Sequence, residues 1–433
     1  MELTCLTNNS KKLICSLGLF IISQPAGAAG FDCSAQNLNK TELTICNDTY
    51  LSSVDNVLNL FFTSALNNSI NHGTLFREQR QWVKERNQCE DDISCIKEKY
   101  VARNKDLTTI LPFRNVDDVF DRDGDLLDPP MAQNLQNKNG FTITEDRWRV
   151  KVVVPEWVIS SRNYKLDDSD WRVLTHRVVK GDLIIYFLVS GREDDKQVNY
   201  IVRVENDWHS QIVAHYKFSG HDDVMIKYDP GSTDKIVYSV IQRPDPELAD
   251  IGASTDYTVE TYTLDPTSDK VEKTQSTTRS EASLKKEAWV GYCETQECTS
   301  RVVSPDGKWR LASRDGSKSD KDEGMFYFPA DKPDQGINVF LAQGDTSKLN
   351  IFEYMRNYVW GDENSFYFDN EGVYACIWKT DIKNKITQRI LPVEGMLQPY
   401  YLNYNDEDLV VATYHAYSAE KKREHYEIYI AKK

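Results

Sequence analysis

Cys33, Cys46, Cys89 and Cys95 fall close together near the start of this 433-residue chain, in an even number and separated by helix-forming sequence. Thiols in that arrangement staple small domains in an oxidising compartment, so two disulfides are expected, each contributing about 2 to 5 kcal/mol, with their connectivity left open. Cys293 and Cys298 lie close enough in the chain to close a hairpin disulfide. Cys376 sits in the apolar stretch Tyr374 to Trp378 and reads as a buried free thiol. Chemistry beyond sulfur is sparse. The sequence has no His-Glu-x-x-His, Gly-x-Ser-x-Gly, phosphate-binding glycine loop or paired Cys-x-x-Cys zinc motif. His72, His176, His209, His215, His221, His415 and His425 are dispersed; His215 and His221 could meet in a strand pair, but no acidic ligand stands at a defined spacing from them. Asp121-Arg122-Asp123-Gly124-Asp125 approaches a calcium loop, yet its glycine falls at the fourth position and no glutamate follows at the twelfth. No catalytic residue, metal or cofactor is assigned, and the expectation is a protein that is not an enzyme.

The elements that position these residues begin with an export signal. Lys11 and Lys12 precede an apolar run from Leu13 to Ile22, and Ala26-Gly27-Ala28 supplies small residues for cleavage after Ala28. That is the layout of a secretory signal peptide over residues 1–28, and the run is too short to span a bilayer. Cys15 lies inside the run, which argues against a lipoprotein anchor. The mature chain is therefore expected in the periplasm or outside the cell, with no membrane anchor.

From Leu51, the residues Val54, Leu58, Phe61, Phe62, Ala65 and Leu66 recur at three and four, predicting a helix whose start is marked by Asn47-Asp48. Further helices are predicted from Leu75 to Asn87 and from Ile93 to Leu107. The second aligns Gln79, Trp82 and Arg86, and the third aligns Ile96, Tyr100, Arg103 and Leu107. Trp82, Arg86 and Tyr100 admit two readings. They are residue types that anchor protein partners, or Trp82 fills the core while Glu42 or Asp55 holds Arg86; a core this small favours the second. The order Phe31-Asp32-Cys33, Thr41-Glu42, Ile45-Cys46, Gln-x-x-Trp-x-x-x-Arg-Asn-x-Cys, Cys95, Tyr100, Arg103 and Leu107 resembles the lysozyme inhibitor LprI-like N-terminal domain family over residues 31–107. The resemblance implies a small all-helical module of exported proteins and a protein target.

After Leu107 the period changes to two. Short segments rich in Val, Ile, Tyr, Phe and Trp alternate with turn signals such as Lys180-Gly181-Asp182 and Asn405-Asp406-Glu407-Asp408, predicting an antiparallel all-β domain. Ser304-Pro305-Asp306-Gly307-Lys308 is similar to the turn that opens blades in TolB-like β-propellers, a family near the WD40-like ones. At roughly 40 to 50 residues per blade, residues 141–433 would hold about six, with a β-sandwich pair as the alternative. Residues 108–140, with Pro112 and Pro129-Pro130, are expected to be a linker.

The formal net charge is −15, and residues 31–111 hold 11 acidic and 9 basic side chains, so most of the excess lies C-terminal to them. Such a field disfavours nucleic acid and steers basic partners inward. The expectation that results is a periplasmic protein-binding inhibitor of a lysozyme-type or other envelope-attacking hydrolase. Two alternatives stand beside it: an immunity protein against an injected antibacterial toxin, and a propeller enzyme or glycan-binding protein.

Overall fold

Each of three helices in the N-terminal region is opened by a polar side chain at its start. The computed structural model describes residues 31–68, 72–110, 113–120, 126–131, 133–154, 167–193, 196–205, 210–217, 224–229, 235–242, 256–286, 302–314, 324–332, 334–340, 357–370, 374–418 and 423–433. In α1 (Lys40–Asn47) the Asn39 side chain accepts from the Glu42 amide while the Glu42 carboxylate accepts from the Asn39 amide, a reciprocal cap. Asp48 accepts from the Leu51 amide at 2.9 Å to open α2 (Thr49–Asn68). Asp92 accepts from the amides of Ser94 and Cys95 to open α4 (Ile93–Ile110), and α3 (His72–Asn87) lies between. The predicted stripe is inside: Leu51, Val54, Leu58, Phe61 and Ala65 are buried.

Two disulfides close the module. Cys33–Cys46 ties the incoming chain to the end of α1, and Cys89–Cys95 bridges the turn from α3 into α4. The signal segment 1–28, Cys293, Cys298 and the loop 121–125 lie outside the described residues. Cys376 is a buried free thiol whose Sγ donates to the Asn370 carbonyl.

The rest is mostly β-structure. Early in the chain come β1 (Arg114–Asn115), the short helix α5 (Val116–Val119), β2 (Leu135–Gln136), β3 (Thr142–Glu145) and β4 (Arg149–Val154). Four-stranded antiparallel meanders follow. The first is β5 (Asp167–Val179), β6 (Asp182–Glu193), β7 (Lys196–Glu205) and β8 (Ser210–Lys217); the second is β9 (Val224–Asp229), β10 (Ile236–Gln242), β11 (Tyr257–Leu264) and β12 (Val271–Arg279). The third is β13 (Val302–Val303), β14 (Trp309–Arg314), β15 (Gly324–Pro329) and β16 (Ile337–Asn338), and the fourth is β17 (Tyr358–Trp360), β18 (Ser365–Asn370), β19 (Cys376–Asp381) and β20 (Ile386–Leu391). The last three strands, β21 (Met396–Tyr404), β22 (Glu407–Ser418) and β23 (Arg423–Lys432), complete a fifth sheet with β4 on their outer side. The result is a propeller-like ring of five sheets whose early strand closes the last sheet.

Local sequence explains the turns. Lys180 and Gly181 both have positive φ, as do Asn405 and Asp406, the geometry a tight two-residue hairpin needs. In the Ser304–Lys308 turn, the Asp306 carboxylate accepts from Ser304 Oγ and the Lys308 amide, and Gly307 takes φ +74°. These hydrogen bonds, with Lys308, hold the Asp306 carboxyl down at about 2.

Two expectations change. The described residues form five sheets, not about six. Blade lengths of 40 to 50 residues fail because β5 and β6 run 13 and 12 residues, and because residues 142–154 supply outer strands to later sheets instead of beginning a sheet of their own. The stretch 108–140 is also no free linker: β1 pairs with β4, and β2 pairs with β3, which runs parallel to β20. Among the described residues every other strand pairing is antiparallel.

The helical module and the ring share one core. A hydrophobic cluster runs from Ile45, Phe61, Ile96 and Leu107 into Leu183, Ile185, Leu402, Leu409 and Ile428. Lys105 at the end of α4 pairs with Asp182 at 2.8 Å, and Lys432 lies 4.7 Å from the Phe113 ring centre.

Candidate functional site

Trp82, Arg86 and Tyr100 come together, and they do so inside the module. The spacing of three and four on α3 and α4 turns them toward α2, where Asp55 waits. Arg86 Nη1 donates to the Tyr100 hydroxyl at 3.0 Å, and that hydroxyl donates to Asp55 Oδ1 at 2.5 Å. Glu42 lies 3.7 Å from Arg86 Nη2, and Arg86 also donates to Asn87 Oδ1. The guanidinium sits against the rings of Trp82, Tyr100 and Phe31. Trp82 Nε1 donates to the Lys99 carbonyl, and its ring meets Tyr100 edge-on. Burial, with Asp55 beside it, pushes the Tyr100 phenol well above its ordinary range. All three side chains are buried, Tyr100 completely. What the module turns outward is different: Leu43, Phe76 and Ile93 are 48%, 46% and 42% exposed, and Phe76 stands edge-on to Phe62.

A second buried charge sits in the ring. Arg389 is fully enclosed, donating to Asp128 Oδ2 at 2.7 Å, the Pro129 carbonyl at 2.7 Å, Glu145 Oε2 at 3.2 Å and the Ala375 carbonyl at 3.2 Å. Glu145 also accepts from Arg147 Nε and the Met131 amide, and Arg147 reaches Asp117. This network fastens the early segment to β20.

A concavity among the described residues with mixed polar and aromatic walls is a cleft of about 270 Å³. It is lined by Arg172 and Val173 of β5, Asn357 with Tyr358 and Val359 of β17, and Gln398, Pro399 and Tyr400 of β21. These are the leading strands of three different sheets, so the cleft opens where the sheets converge. Its floor is pinned by Asp369, 1% exposed, which accepts from the Asn357 amide and Nδ2 and from the Gln398 amide. A β-bulge interrupts the β21 pairing between Leu397 and Tyr400, with Gln398 at φ +57°, and this turns the Gln398-Pro399 step toward the cleft. Tyr400 OH lies 3.0 Å from His176 Nδ1, and burial together with Arg177 lowers the imidazole's proton affinity.

Of the other histidines, His215 stacks on Tyr200 and His415 on Tyr426. His209 and His221 lie outside the described residues, as do the side chains of His72 and His425. Among the described residues no group of three metal-ligating side chains gathers. The cleft was not anticipated from the sequence, where nothing links position 358 to positions 172 and 400.

No family model matches the chain, and no curated protein matches it. Among solved structures, an ACO/RPE65 chimera aligns at 7% identity with a TM-score of 0.23, covering 60% of this chain and 58% of that one. A mutant of Synechocystis apocarotenoid oxygenase aligns at 7% identity and TM-score 0.21 over the same shares, and another at 6% and 0.23 over 68% and 66%. The chain thus spans under two thirds of the length of each. Superpositions this loose transfer neither chemistry nor ligand.

Proposed function

We propose that the protein is an exported, non-catalytic inhibitor that binds a basic envelope-attacking hydrolase, most directly a lysozyme-type muramidase, in the periplasm. Residues 31–107 resemble an inhibitor-family module, and its two closed disulfides suit an oxidising compartment. The observation that carries the reading is the division of labour in that module. Trp82, Arg86 and Tyr100 are consumed by its own core, while Leu43, Phe76 and Ile93 face outward as large apolar side chains a partner would cover. The net charge of −15 supplies complementarity to a cationic target.

Leu43→Asp and Phe76→Asp are expected to weaken binding of a muramidase by at least about tenfold each while leaving the melting temperature unchanged, since exposed side chains carry little folding energy. Raising salt from about 0.05 to 0.5 M should slow association far more than it speeds dissociation, because screening acts on the long-range encounter. Surface plasmon resonance on the two variants reads both. Wild-type rates in both variants would remove this surface from the interface.

A further inference from the structure

The outward side of α3 carries a cationic stripe in a chain whose net charge is −15. Arg77, Arg80 and Lys84 are all exposed. On a regular helix those positions fall within about 60° of one another around the axis. Among the described residues none of the three has a carboxylate partner: Arg77 Nη2 donates to Thr74 Oγ1, and Arg80 and Lys84 make no hydrogen bond or ion pair. The glutamates of the same helix lie at least about 80° further round, and both are engaged. Glu78 is 3.9 Å from Arg103, and Glu85 accepts from Gln81 Nε2 at 2.9 Å. Like charges four residues apart repel, so the stripe adds nothing to the stability of the helix that bears it.

The other border of the stripe is apolar. Phe76, 46% exposed and edge-on to Phe62, stands about 40° around the axis from Arg80. The far side of α3 is fixed, with Trp82 and Arg86 buried against α4 and the Cys89–Cys95 bridge closing the turn that follows. The charges are therefore presented on a rigid element. Glycoside hydrolases work between two carboxyl groups, which in retaining enzymes stand about 5 Å apart in the substrate cleft. Arg80 and Lys84, four apart on one helix face, have Cβ atoms separated by about 5 to 6 Å, and their long side chains can reach into a cleft while the helix crosses its mouth. We propose that α3 blocks the muramidase at its substrate cleft, with Arg80 and Lys84 pairing with the two catalytic carboxyl groups and Phe76 covering apolar surface at the rim. This assignment rests on the inhibitor reading. It gives the two signs of charge separate tasks: the acidic excess elsewhere in the chain draws a basic enzyme in, and the stripe meets the acidic spot that must be covered.

The test uses the mature protein and a retaining lysozyme-type muramidase, the latter both unaltered and with its general-acid carboxyl group changed to an amide. Inhibition should be competitive with cell-wall oligosaccharide, raising KM at unchanged kcat. Arg80→Glu and Lys84→Glu should each weaken binding by at least about tenfold at unchanged melting temperature, while Lys84→Arg, which keeps the charge, should stay within about twofold of the wild type. The amide form of the muramidase should bind the wild-type chain severalfold more weakly, and that loss should be non-additive with at least one of the two reversals. Binding without competition by substrate, or wild-type affinity in both reversals, would overturn the cleft assignment and leave the inhibitor reading standing. No binding of the wild-type chain to the unaltered muramidase would overturn both.

Discussion

Replacing Arg389 by methionine is expected to destabilise the protein by about 3 to 5 kcal/mol, one of the two largest effects considered, because it leaves the partly buried Asp128 carboxylate without its cation. Arg389 is wholly enclosed and bridges Asp128, Glu145 and two backbone carbonyls, joining β20 to the segment that precedes β4. Methionine fills a similar length but offers no donor, so Asp128 loses its cation and Glu145 keeps only Arg147 and the Met131 amide. The pH dependence has a definite sign. Burial raises the Asp128 carboxyl above its usual range, and Arg389 is the main group opposing that rise. Without Arg389 the folded-state value climbs further, so the folded state takes up a proton more readily than the unfolded chain does. The variant should therefore regain stability as pH falls through the raised Asp128 value, and lose most at neutral pH. Urea melts of the single variant and of Arg389→Met with Asp128→Asn read this. The second change should recover part of the loss, and full additivity would refute the coupling.

Arg86→Leu is expected to cost a comparable amount, about 3 to 5 kcal/mol, through the same mechanism in the helical module. Asp55 and Tyr100 are buried against the guanidinium, and Glu42 stands at its other side. Leucine leaves the Asp55 charge enclosed without the Arg86 guanidinium that faces it. Because the hydrophobic cluster passes from α4 into β6 and β22, the loss should appear in the global melt as well as in faster hydrogen exchange over residues 31–107. This outcome separates two roles for the residue. A partner anchor would lose binding at unchanged melting temperature, whereas the geometry predicts a lowered melting temperature and binding that falls only with the folded fraction.

The parts of the fold that were legible in the sequence are those fixed by neighbours in the chain. Asp48 marks the start of α2 through a bond spanning three residues. Lys180-Gly181 and Asn405-Asp406 mark hairpins because both residues of each pair adopt positive φ. Closure of the ring is another matter. β4 pairs with β23, and β3 with β20, across more than 200 residues, and no local pattern encodes which distant edge a short strand will cover. The cleft was hidden for the same reason, since Arg172, Tyr358 and Tyr400 belong to three separate sheets. Pro399 added to the difficulty: a proline inside a strand counts against the strand until the bulge that accommodates it is seen. Trp82, Arg86 and Tyr100 could be aligned on helix faces from spacing, but spacing alone does not say whether a face points inward.

The measurement that tests the inhibitor reading most directly is titration of the mature protein against a lysozyme-type muramidase acting on cell-wall substrate, with binding followed in parallel by calorimetry. The account predicts saturable, stoichiometric loss of muramidase activity, with the muramidase chain left intact. Full activity at micromolar excess, with no heat of binding, would contradict it.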